Sequence, residues 1–261
     1  MISGKNNLKG SYRMKNVSWH TRFTQQAGWT KNLRNHLMTR FDLPDHPVIL
    51  DVGCGTGALL PEQENYSDEV YGLDKDFEAL KFASQNNDQT QLTCANALAM
   101  PFPSNYFDLT FCHYLLMWVA NPIKVIDEMV RITKPGGYVV AYAEPDYQAR
   151  IDHPEIFHNI GLLQNHSLQF QGINLAIGRQ LGQIFSHAGL VDVRSGVLAG
   201  EWTEQNYEDF EREWAVIAYD LGGLVTPERI LELRQEASHA WQEGSITLYI
   251  PTLYAFGRVD V

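Results

Sequence analysis

The chain has 261 residues, 44% hydrophobic and 20% charged; that is a globular composition, not a disordered one, and at ~150 residues per domain it makes one or two domains. Its 20 Lys and Arg against 31 Asp and Glu leave a formal charge of −11, which argues against a broad surface for nucleic acid. The three cysteines (Cys54, Cys94, Cys112) form no CxxC pair, the histidines form no HxxxH or HExxH metal pattern, and the apolar runs fall far short of the ~20 residues of a membrane span.

The polar start, Met1–Gly10, lacks the apolar stretch of a signal peptide, and the expected compartment is the cytoplasm. Residues 19–41 read as a helix on the spacing of Phe23, Ala27, Leu33 and Leu37, stopped by Pro44 and Pro47. From residue 48 strands and helices alternate. Val48–Val52 is a buried strand ended by glycines, and Glu69–Leu73 is a second, followed by a helix over Phe77–Gln85. Gln91–Ala95 and Phe107–Cys112 are the third and fourth strands. A helix starts at Asn121-Pro122, a good cap and first residue, with Ile123, Ile126 and Val130 on one face. Lys134-Pro135-Gly136-Gly137 stops it, and Tyr138–Ala143 is the fifth strand.

After residue 150 the pattern changes. Residues 150–177 carry many apolar side chains and no clear strand; Gly178–Ala188 is helical; Leu190–Leu198 is a strand. Helices are expected over 204–221 and from Pro227 to Trp241, and Ile246–Phe256 closes the chain as one strand. The expected organisation is a helical cap segment over 1–45, then one domain over 46–261 with helical insertions at about 150–177 and 203–243. Alternating strands and helices imply an α/β fold with a parallel sheet and right-handed crossovers.

Gly53-Cys54-Gly55-Thr56-Gly57 follows the first strand and opens toward a helix, so backbone and ligand can approach closely there. With Ala58, and with Asp74 twenty-one residues after Gly53, the loop also fits the dinucleotide fingerprint. Asp51 tips the balance. A carboxylate two residues before the first glycine repels a diphosphate and suits a ligand bearing an ammonium or a sulfonium. Asn96, after the third strand, has the donor and acceptor to meet an adenine edge.

These segments resemble the class I S-adenosylmethionine-dependent methyltransferases, most of all the small-molecule group that includes the ubiquinone and menaquinone C-methyltransferases. The matching text is Val48 through Gly57, Tyr71-Gly72-Leu73-Asp74, Asn96-Ala97 through Met100-Pro101-Phe102, Tyr106-Phe107-Asp108-Leu109 and Lys134-Pro135-Gly136-Gly137. The resemblance implies a Rossmann-like, mostly parallel seven-stranded sheet with helices on both faces and helical cap insertions, in strand order 3-2-1-4-5-7-6 with the seventh antiparallel.

It also implies S-adenosyl-L-methionine as cofactor, leaving S-adenosyl-L-homocysteine. Asp51, Gly53, Cys54, Gly55 and Gly57 would hold the methionine end, Asp74 the ribose, and Lys75, Asn96 and Ala97 the surroundings of the nucleoside. Arg22 and Trp29 of the N-terminal helix would reach the cofactor. His113 would line the transfer cleft and is the catalytic candidate; Glu144, Trp19 and Trp214 are candidates on the acceptor side. The expected partner is a small-molecule methyl acceptor, with no nucleic acid, no membrane span, no metal, and a monomeric or homodimeric chain. Two other readings stay open on the sequence: a nicotinamide-dependent oxidoreductase using the same loop, and a non-catalytic adenosylmethionine-binding protein.

Overall fold

A computed structural model describes residues 19–87, 89–199, 207–244 and 246–261. The expectations for residues 1–18 and 203–206 lie outside the described residues. The chain forms two compact units: one comprises residues 19–146, 176–198 and 251–261, the other residues 147–175 and the described part of 199–250.

The first unit is built on a seven-stranded sheet. Its strands are β1 (Ile49–Val52), β2 (Val70–Asp74), β3 (Gln91–Cys94), β4 (Phe107–Cys112), β5 (Thr133–Pro145), β7 (Val191–Leu198) and β9 (Thr252–Arg258), in spatial order β3-β2-β1-β4-β5-β9-β7. Counted within the sheet that is 3-2-1-4-5-7-6. The β1, β2, β3, β4 and β5 pairings are parallel, while β9 runs antiparallel to both neighbours. The central strands β1 and β4 are buried at every residue, as expected of a sheet covered on both faces.

Helix α1 (Trp19–Met38) packs on β5, and Ala27 and Leu37 join Phe111, Val140, Tyr142 and Phe256 in one apolar cluster. Helix α4 (Pro122–Ile132) and helix α6 (Ile177–His187) pack on each other and on the sheet. Between β1 and β2 lies only the one-turn helix α2 (Leu60–Gln63), with Pro61 in its first turn, the shortened crossover that Pro61 foretells. Helix α3 (Phe77–Ser84) follows β2, its N-terminus capped by the Asp76 carboxylate, which accepts from the Glu78 and Ala79 N–H groups.

Four expectations change, the first being a short strand over Ile151–His153 where none was expected. The apolar stripe of α4 is Val125, Ile126, Met129 and Ile132; of the expected face only Ile126 is buried, while Val130 is half-buried and Ile123 exposed. Strand β5 starts at Thr133 instead of Tyr138. Thr133 pairs with Phe107, and an irregularity in register absorbs Gly136, whose φ is +83°. The single closing strand is two, β8 (Thr247–Tyr249) and β9, parted at Ile250-Pro251; proline has no N–H to continue a ladder.

The second unit contains β6 (Ile151–His153), which pairs antiparallel with β8, and helices α5 (Glu155–Phe170), α7 (Tyr207–Leu221) and α8 (Pro227–Gln242). Its core joins Phe157, Ile160, Phe210, Trp214, Ile217, Leu233 and Trp241.

Candidate functional site

The glycine loop leaves β1 with Gly53, Gly55 and Gly57 all at positive φ (+79°, +52°, +79°), a region where side chains are strained. Space is also tight at two of these positions. A Cβ on Gly53 would meet Leu115 Cδ1 at 2.7 Å, and one on Gly57 would meet Asn87 Nδ2 at 2.7 Å. At Gly55 the nearest atoms belong to the Phe23 ring, 3.6 Å away.

Four of the loop's amide donors are spent inside the protein. Gly53 and Cys54 donate to the Leu73 carbonyl (2.6 and 3.0 Å), Gly55 to Asp74 Oδ2 (2.8 Å) and Gly57 to the Cys54 carbonyl (2.9 Å). A diphosphate cradle needs such donors free; here they stabilise the loop itself. Asp74 Oδ1 accepts from the Asp76 N–H at 2.8 Å, so each oxygen of this half-buried carboxylate keeps a lone pair for a hydroxyl.

Asp51 is the electrostatic centre of the site. It is 2% exposed and has no hydrogen-bond or ion-pair partner in the described structure. Burial above all, then the Asp74 carboxylate, pushes its acid up to about 8, against the opposing pull of Arg34. A cation beside it would return it to the ionised form.

The other expected cofactor residues divide. Cys54 packs inward, its Sγ 2.9 Å from where a Cβ on Gly72 would stand. Burial and the Asp51 and Asp74 charges raise its thiol, so it is an inert filler. Asn96 is exposed at the end of β3 and its Oδ1 accepts from the Leu98 N–H at 3.0 Å, leaving the Nδ2 side open; Ala97 is buried beside it. Lys75 is exposed, and its carbonyl accepts from Cys94 Sγ–H at 3.8 Å.

Helix α1 reaches the loop through His20 and Phe23. His20 Nδ1 shares a 2.9 Å hydrogen bond with Thr56 Oγ1, and Phe23 lies over Gly55. Trp19 stacks on Phe23 with centroids 5.9 Å apart. Arg22 is turned along its own helix, its guanidinium 4.8 Å over the Trp29 ring and its Nη1 donating to Gln25.

The most buried polar chain here was not anticipated. Arg34, 1% exposed, makes a two-point ion pair with Glu62 (2.8 and 2.6 Å) and donates through Nη1 to Thr30 Oγ1. Thr30 Oγ1 in turn shares a 2.9 Å hydrogen bond with His113 Nε2. Burial, and secondarily Arg34, lower His113 to about 3, so the imidazole is neutral at physiological pH. The signal was present in the sequence. Thr30 and Arg34 continue the Ala27–Leu37 face, where polar residues are unexpected.

Two acceptor-side candidates are corrected. Glu144 is fully buried, and its carboxylate accepts from the Leu115, Leu116 and Met117 N–H groups (2.9, 2.7 and 3.1 Å). Burial pushes it up to about 8 despite those donors; no surface is left for an acceptor. Trp214 is buried in the core of the second unit, stacked on Phe210 with centroids 6.2 Å apart.

The donor set fits an adenosylmethionine: a buried acid for a cation, a two-oxygen acid for vicinal hydroxyls, and a glycine loop with four amides already bonded within the protein. Comparison with known proteins agrees. The methyltransferase domain family matches residues 50–141. An uncharacterized methyltransferase of Schizosaccharomyces pombe is 30% identical over 215 residues, covering 74% of this chain and 76% of that protein. The demethylmenaquinone methyltransferase of Bacillus licheniformis is 31% identical over 169 residues, covering 62% of this chain and 67% of that protein. Among solved structures, phosphoethanolamine N-methyltransferase 2 of Haemonchus contortus, in complex with S-adenosyl-L-methionine, shares the fold with a TM-score of 0.55 at 15% identity, covering 87% of this chain and 52% of that one.

Proposed function

Because this chain belongs to the class I S-adenosylmethionine-dependent methyltransferases, we propose that it methylates a small, partly apolar organic molecule. The observation that carries the reading is Asp51, a buried acid with no side-chain partner among the described residues, beside a loop four of whose amides are already bonded within the protein. When bound, S-adenosylmethionine supplies an electrophilic methyl on a sulfonium. Asp51 would hold the cationic amino-acid end, Asp74 the ribose hydroxyls, and Asn96 the base through its open Nδ2 side.

Catalysis of this kind rests mainly on alignment, for which effective molarities allow about 7–11 kcal/mol. His113, fixed by Thr30 and neutral, serves as a hydrogen-bonding group toward the acceptor and not as a proton store, because a group titrating near 3 is a weak base at neutral pH. The exposed aromatics Trp19 and Trp29 on α1 favour an apolar acceptor, as does similarity to a demethylmenaquinone methyltransferase. The chain acts as a monomer or homodimer in the cytoplasm, without nucleic acid. None of the described helices is long and apolar enough to cross a membrane.

Incubation with methyl-labelled S-adenosylmethionine and a panel of acceptors tests the reading. Label is expected in solvent-extractable ring compounds such as hydroquinones. Label only in water-soluble amines or carboxylates contradicts the acceptor class, and no label in any acceptor contradicts the activity.

A further inference from the structure

We propose that Glu144 is a positioning residue, one that fixes the loop after β4 against the glycine loop and thereby shapes the bed of the cofactor. This rests on the adenosylmethionine reading above. Glu144 stands near the end of β5, paired with Leu253 of β9. Its Oε1 accepts from Leu115 and Leu116, and its Oε2 from Met117. The preceding residue, Ala143, takes the Tyr114 N–H on its carbonyl at 2.8 Å. Two consecutive residues of β5 therefore hold four consecutive amides of residues 114–117.

The held segment is strained. Tyr114 has φ +53°, a left-handed conformation that an aromatic residue keeps only when its surroundings over-determine it. The turn separates two contacts of the site. On one side His113 meets Thr30; on the other, Leu115 fills the space over Gly53 that a side chain there would need. Leu116 and Met117 are buried and anchor the far end.

Packing alone does not account for an acid here. A buried carboxylate is costly, and an apolar side chain would fill the volume more cheaply. What an acid offers here, and an apolar side chain does not, is two oxygens that accept from three converging N–H groups. Glutamine would retain an oxygen for Leu115 and Leu116 but turn an NH2 toward the Met117 N–H, donor against donor.

The test uses the full chain, with amide hydrogen exchange and calorimetric titration of adenosylhomocysteine. In Glu144→Gln, exchange at residues 115–117 is expected to rise about tenfold or more while β1 and β4 keep wild-type protection. The dissociation constant is expected to rise about tenfold, the loss of one good hydrogen bond. Leu115→Ala, which leaves the buried acid alone, is expected to weaken binding severalfold with the 115–117 amides still protected. Wild-type affinity or unchanged exchange in Glu144→Gln overturns the proposal. If that variant fails to fold, wild-type affinity in Leu115→Ala overturns it. A wild-type chain that binds no adenosylhomocysteine, with the exchange effect of Glu144→Gln still present, contradicts the cofactor reading and leaves Glu144's hold on the loop standing.

Discussion

Asp51 is a buried acid whose cost can be read from its surroundings. Its folded acid titrates near 8 against an ordinary 3.8, so the folded state binds a proton more tightly than the unfolded state does. The stability tied to this group is full below about 3.8 and is lost as pH rises toward 8, at up to about 1.4 kcal/mol per pH unit. Asparagine does not titrate. The ligand-free Asp51→Asn variant is therefore expected to gain in melting temperature over the wild type as pH rises from 5.5 to 8. The same change should weaken adenosylhomocysteine binding about 10–100-fold, since a charge-assisted contact is lost. A melting difference independent of pH, or unaltered binding, would contradict this account of Asp51. Both carboxylates of the candidate site, Asp51 and Asp74, can be singled out in the sequence, because each stands at a fixed distance from the glycines at a strand end. Glu144 was legible as a residue but not as a role; that its side chain turns inward to backbone amides follows from the strained turn at Tyr114, which no residue pattern announces.

Helix α1 is fastened to the sheet unit by an apolar face into which polar side chains are set. Ala27 and Leu37 pack on the sheet, while Thr30 and Arg34 on the same face carry the chain from Glu62 to His113. A rule that counts only apolar spacing finds the helix and misses this chain. Replacing Arg34 by Met removes one partner of an ion pair whose other member, Glu62, is 18% exposed and can be partly hydrated. Arg34→Met is expected to cost about 2 kcal/mol in urea denaturation, between the values for surface and buried pairs. His113 should then titrate higher, yet still below its usual 6.5, because burial is the larger cause of its shift. Unchanged stability, or a His113 titration that does not move, would show that Arg34 plays no such part. Short elements were the least legible. The β6–β8 pair is three residues on each side and joins segments nearly one hundred positions apart, and a local pattern carries no trace of such a partner.

At the scale of the molecule, motif order along the chain determined what could be read. Five short segments fall at the ends of β1 to β5, and the strand order they imply, 3-2-1-4-5-7-6, is the order found. The second unit has no such motifs; its buried Trp214 stands in the sequence as a candidate on the acceptor side. The same chain could in principle have offered its glycine loop to a dinucleotide. Four of that loop's amides are bonded to Leu73, Asp74 and Cys54, and the buried acid Asp51 lies beside them, so the first unit is shaped for a cationic nucleoside. Calorimetry of the wild-type chain with adenosylhomocysteine and with NAD, at pH 7 in two buffers of different ionisation enthalpy, measures this most directly. Adenosylhomocysteine should bind and release protons as Asp51 ionises, and NAD should give no heat. Binding of NAD without adenosylhomocysteine, or adenosylhomocysteine binding with no proton release, would contradict the account.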